Sequence, residues 1–98
     1  MFKLYIGLDE ERMERDGLNV EQAWEQINEM IEETEDIEII SKGELVTDNF
    51  GALSFLMMNL RDTEWFMKYI NKWFIEDGDG RNDVIVSYKN MGLRCNYE

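Results

Sequence analysis

Apolar and polar residues alternate at the start of the chain. Phe2, Leu4, Ile6 and Leu8 stand against Lys3, Tyr5 and Gly7, which predicts a strand over 2–8 with one buried face. The next stretch, DEERMERDG at 9–17, is charged and without steady period, and reads as a loop or short helical turn ended by Gly17. Asn19 then offers a helix cap. Gln22, three residues on, completes a capping box, and Leu18 with Ala23 fits a hydrophobic staple. Val20, Ala23, Trp24, Ile27, Met30 and Ile31 follow at helical spacing, so a helix is expected over 19–34.

The period changes again at 36–41, DIEIIS, which reads as a strand. Ser41 to Glu44 can turn the chain, and Leu45, Val46 and Thr47 can continue it as a short strand. Residues 52–60, ALSFLMMNL, are apolar on both faces. They are read as a central strand, with a buried helix as the rival reading. Asp62 or Thr63 caps a helix expected over 62–77, with Trp65, Phe66, Tyr69, Ile70, Trp73 and Phe74 as its apolar stripe. That stripe is expected mostly in the core, with Trp65 or Trp73 a candidate exposed edge. DVIVSY at 83–88 reads as a strand, and 93–97 as a short final strand or a frayed tail.

The resulting order is strand, helix, strand, strand, helix, strand. It predicts one compact α+β domain over 1–98, a ferredoxin-like split βαβ fold. Two helices would cover one face of an antiparallel sheet. Lys3 and Tyr5 would lie on the barer face, and the 36–41 strand at an edge.

Charge changes the picture most. The chain has 22 acidic and 10 basic residues, net −12. Residues 1–40 hold 13 acids and 3 bases, so −10 of the −12 lies there. Glu21, Glu25, Glu29 and Glu33 repeat every four residues on one helical face, where like charges repel. A row of carboxylates rising about 6 Å per helical turn resembles the spacing of phosphates along a nucleic-acid strand. Such a helix could meet the Arg and Lys of a phosphate-binding groove. An ordinary solvated acidic face is the alternative. The candidate partner-binding residues are Glu10, Glu11, Glu14, Asp16, Glu21, Glu25, Glu29, Glu32, Glu33 and Asp36. The expected partner is a protein with a basic surface or nucleic-acid-binding groove. Direct nucleic-acid and membrane binding are not expected, because the field repels both.

Candidate chemistry is sparse. There is no histidine and one cysteine, Cys95, so no usual general base and no intrachain disulfide. Asp77 to Asp83 resembles a calcium loop superficially. Counted from Asp77, however, the fifth, sixth and twelfth positions are Arg81, Asn82 and Tyr88 rather than ligand, glycine and glutamate. No glycine pattern suits a dinucleotide or phosphate loop. No enzyme activity, metal or cofactor is expected. The N-terminus lacks an apolar stretch long enough for a signal peptide, so a cytoplasmic location is expected.

In size, acidity and compact α+β order the chain resembles small acidic accessory proteins of phages and mobile elements, among them several anti-CRISPR and anti-restriction proteins. The resemblance implies an inhibitor of a host defence enzyme, acting in the host cytoplasm. It rests on no motif and transfers no residue. Two other readings stand beside it. One is a homo-oligomeric subunit, such as a homodimer, joined through the sheet face or the aromatic edge. The other is a small ligand-binding domain.

Overall fold

The computed structural model describes residues 1–97. The chain is α+β, with a five-stranded antiparallel open sheet and five helices among the described residues. In chain order the elements are β1 (Phe2–Leu8), α1 (Glu10–Arg15), α2 (Val20–Glu33), β2 (Glu38–Ser41), β3 (Glu44–Thr47), α3 (Phe50–Arg61), α4 (Glu64–Tyr69), β4 (Ile70–Asp77), β5 (Gly80–Asp83) and α5 (Val84–Asn90).

Strand β1 lies at the centre of the order β2-β3-β1-β4-β5. It pairs antiparallel with β3 and with β4, and β3 pairs antiparallel with β2. Thus β1 and β2 run the same way with β3 between them, and β3 and β4 run the same way with β1 between them. Helices α1 and α2 join the first parallel pair, and α3 and α4 join the second.

The alternation read in β1 decides which face is buried. Leu4, Ile6 and Leu8 enter the core, beside Leu45 from β3 and Trp73 from β4. Helical residues close over them, including Met13, Ile27, Leu56, Leu60 and Phe66. Trp73 is wholly buried, with edge-to-face contacts to Phe66 at 5.1 Å and Tyr88 of α5 at 5.2 Å. The opposite face carries Lys3, Tyr5, Val46, Phe74, Glu76 and Arg81.

Three expectations are corrected, and the open reading of 93–97 is resolved. Residues 52–60 are not a central strand but most of α3, which begins where the Asn49 side chain accepts a hydrogen bond from the Ala52 amide. Leu53, Leu56, Met57 and Leu60 recur at helical spacing on its buried side. The helix expected over 62–77 stops at Tyr69. From Ile70 the chain is extended as β4, because β1 has a second edge to fill and Ile70, Trp73, Phe74 and Ile75 suit a strand. The expected 83–88 strand is instead the end of β5 followed by α5. Asp83 caps that helix by accepting from the Val86 amide at 3.1 Å. Residues 93–97 form no strand; the Asn96 amide is tied instead to the Met67 carbonyl at 2.8 Å. The 9–17 segment takes its helical option as α1, and it buries Arg12 and Met13.

Candidate protein-binding face

Helix α2 forms where expected. Asn19 caps it by accepting from the Gln22 amide, and Ala23, Trp24, Ile27 and Ile31 are its buried stripe. The opposite side carries Glu21, Glu25, Glu29, Glu32 and Glu33, all exposed. At 100° per residue these five fall within about 120° of arc, along some 18 Å of helix. Among the described residues none of the five has an ion-pair or side-chain hydrogen-bond partner. The basic side chains that could neutralise them lie elsewhere.

The other candidate acids divide by their partners. Glu11 and Glu14 are exposed on α1, which packs against α2. Glu10 is engaged: Lys42 Nζ donates to its Oε1 at 2.9 Å, and this holds the carboxyl below its usual range. The same Lys42 ammonium lies 5.1 Å from the Trp24 ring centroid, so the β2–β3 turn is pinned to α1 and α2. Asp16 accepts a 2.7 Å hydrogen bond from the Tyr69 hydroxyl, which likewise lowers its pKa. Asp36 sits in the left-handed backbone region at φ 66° and accepts from Asn49 Nδ2 at 2.9 Å. These three carboxylates help hold the fold, while the α2 row is free to act outward.

Two other surfaces were candidates for contact. The bare sheet face covers itself. Tyr5 and Phe74 are cross-strand neighbours, and the Arg81 guanidinium lies 5.2 Å from both ring centroids while pairing with Glu76 at 3.2 Å. Lys72 adds a second cation 5.7 Å from the Tyr5 ring. Of the aromatic-edge candidates, Trp73 is fully buried. Trp65 is half-buried and donates to Gln26 Oε1 at 3.1 Å, joining α4 to α2. Beside that contact a cleft of about 110 Å³ opens between Met13, Gln22, Gln26 and Trp65. Ligand pockets run to roughly 300 Å³ and above, so this one suits a single side chain better than a metabolite.

Cys95 is buried, and burial pushes its thiol pKa up. The thiolate is the reactive form, so the position does not favour nucleophilic chemistry. Among the described residues no three Asp, Glu or Cys side chains converge as a metal site would. Among the same residues no helix is long and apolar enough to cross a membrane.

One surface escaped the sequence reading. Phe50, Phe55 and Met58 of α3 are 63%, 55% and 52% exposed. A central strand over 52–60 with both faces apolar has no outward face, whereas a helix over the same residues does. The available signal was Asn49 as a cap followed by an apolar i, i+3, i+4, i+7 set beginning at Leu53.

No family model matches the chain, and neither the curated proteins nor the solved structures yield a match.

Proposed function

We propose that the chain is a protein-binding inhibitor or accessory protein whose acidic α1–α2 face blocks a basic groove built for a nucleic-acid backbone. The observation that carries this reading is the α2 row: five exposed carboxylates on one side of a 14-residue helix, without partners among the described residues. Their mutual repulsion works against the helix. A partner that supplies Arg and Lys removes that repulsion and gains charge-assisted hydrogen bonds. Burial of Ala23, Trp24, Ile27 and Ile31 keeps the row rigid before binding, so little ordering is required on association.

The connectivity supports a ferredoxin-like frame. Strand β1, a helical segment, β2, β3, a second helical segment and β4 follow the split βαβ order, with β5 and α5 appended. A host enzyme that binds nucleic acid, such as a restriction or RNA-guided nuclease, has the required groove.

The test is competition with double-stranded DNA for such nucleases, measured across salt concentrations. The wild-type chain should displace DNA, and more weakly as salt rises. Glu25→Lys combined with Glu29→Lys should weaken displacement at least tenfold and flatten the salt dependence. If the double variant competes as the wild type does, or the wild type fails to compete even at low salt, the reading is wrong.

A further inference from the structure

We infer that α3 is a self-association face, and that its occupant is the α3 helix of a second copy running antiparallel. A surface helix ordinarily keeps one apolar stripe inside and polar residues outside. Helix α3 does not. Leu53, Leu56, Met57 and Leu60 fill its inner side, while Phe55 and Met58 stand outward, each more than half exposed; Phe50, at the N-terminal end, is exposed but leans on the Phe2 ring at 5.5 Å. Only one charged residue, Arg61, occurs in its twelve positions. In a chain with 22 acids, the stretch between Asp48 and Asp62 contains none.

That gap identifies the occupant. Two copies of a −12 chain repel across most of their surfaces. The outer side of α3 can approach its own copy without bringing rows of carboxylates together. A basic partner, by contrast, would find no acid there to pair with. The ends of the helix are complementary as well: Asp48 precedes its N-terminus and Arg61 closes its C-terminus. An antiparallel pairing with Phe55 near the two-fold axis directs Arg61 of each copy toward Asp48 of the other. It also sets Met58 over Gly51 of the second copy, where the absence of a side chain permits close approach. Both groups have only exposed contacts to exchange: Arg61 with Asp62 at 3.7 Å, and Asp48 with the Met1 amino group at 3.5 Å. Such an interface is isologous and closes on two copies.

A single helix face about 18 Å long is small beside the roughly 800 Å² per partner of a standard interface, so micromolar association is expected. This inference does not depend on the acidic face, and the two fail separately.

Sedimentation velocity over a concentration series tests it, with circular dichroism and thermal melting confirming that each variant folds. The wild type should move from monomer toward dimer mass as concentration rises into the hundreds of micromolar. Met58→Glu, at an exposed position, should remain monomeric with an unchanged spectrum. Arg61→Glu should weaken the dimer several-fold, and Asp48→Arg added to it should restore association. A wild type monomeric throughout, a dimer that survives Met58→Glu, or a charge exchange that fails to restore association would each overturn it.

Discussion

Arg12 Nη1 donates to Asn96 Oδ1 at 2.6 Å, joining residues 84 positions apart. The guanidinium is buried, and its Nη2 donates to the carbonyl oxygens of Lys68 and Tyr97. Its carbon lies 4.7 Å from the Tyr69 ring centroid. One side chain therefore ties α1 to the end of α4 and to the C-terminal segment. Asn96 itself stands at φ 54°, a conformation that Asn tolerates better than most residues.

Removing that tie should be costly. Arg12→Ala would strip the donors from three part-buried acceptors, which water can partly reach, so each costs toward the low end of the about 1–3 kcal/mol of an unsatisfied buried polar group. A net loss of about 2–4 kcal/mol is expected by urea denaturation, together with faster hydrogen exchange at the Asn96 amide. Arg12→Lys should recover less than half, because an ammonium cannot span acceptors that the planar fork reaches together. An Arg12→Ala variant as stable as the wild type would show that the tie contributes nothing.

The bond between the Tyr69 hydroxyl and Asp16 predicts a pH dependence. It holds the Asp16 pKa below its ordinary 3.8 and raises the Tyr69 pKa above its ordinary 10.0. For a carboxyl lowered in the folded state, the stabilisation is present above the unfolded value and is lost as pH falls through the folded one. For a phenol raised in the folded state, it is present below the unfolded value and lost as pH rises through the folded one. Tyr69→Phe keeps the ring over which Arg12 lies and deletes only the hydroxyl. The variant should melt below the wild type at neutral pH, and the gap should narrow below about pH 3.8 and above about pH 10. A gap constant across that range would remove the bond from the account.

The elements legible in the sequence are those whose pattern has one period and one buried face. Strand β1 and helix α2 fall where Leu4, Ile6 and Leu8 and then Ala23, Trp24 and Ile27 place them. Helix α3 was obscured because Phe55 and Met58 are apolar on the outside, which erases the periodicity that Leu53, Leu56 and Leu60 would otherwise show. The stripe from Trp65 to Phe74 satisfies a helix throughout, and neither proline nor glycine marks the change at Tyr69–Ile70. What decides it is non-local: β4 pairs with β1 from Lys3↔Glu76 to Leu8↔Ile70, and helix periodicity within 62–77 carries no information about that partner. In α5, Val84, Ile85 and Val86 favour a strand, but the Asp83 cap and the contact of Tyr88 with Trp73 favour the helix.

The candidate acidic face shows the same division. All ten positions could be read as acidic from the chain alone. Which of them are engaged could not, because the partners of Glu10, Asp16 and Asp36 lie 32, 53 and 13 residues away. The α2 row remains because helical spacing, a local property, is enough to place Glu21, Glu25, Glu29, Glu32 and Glu33 outward.

Gly43 is required by backbone geometry at the β2–β3 turn. Its φ is 77°, and a Cβ built there would lie 2.2 Å from the carbonyl oxygen of Ile6. Its own carbonyl accepts from the Ile6 amide at 2.7 Å, so the approach cannot be relieved by moving a side chain. Gly43→Ala should therefore cost about 2–4 kcal/mol, combining left-handed strain with displacement of the turn from β1. Gly92 supplies the control: its φ is 85°, yet nothing lies within 4 Å of the added carbon. Gly92→Ala should cost only the backbone strain, about 1–2 kcal/mol. The turn also carries Lys42, so Gly43→Ala should disturb the contact with Glu10 and quench or shift the Trp24 fluorescence differently from Gly92→Ala. Equal destabilisation by the two alanines, measured by urea denaturation, would mean that the close approach at Ile6 does not constrain the turn.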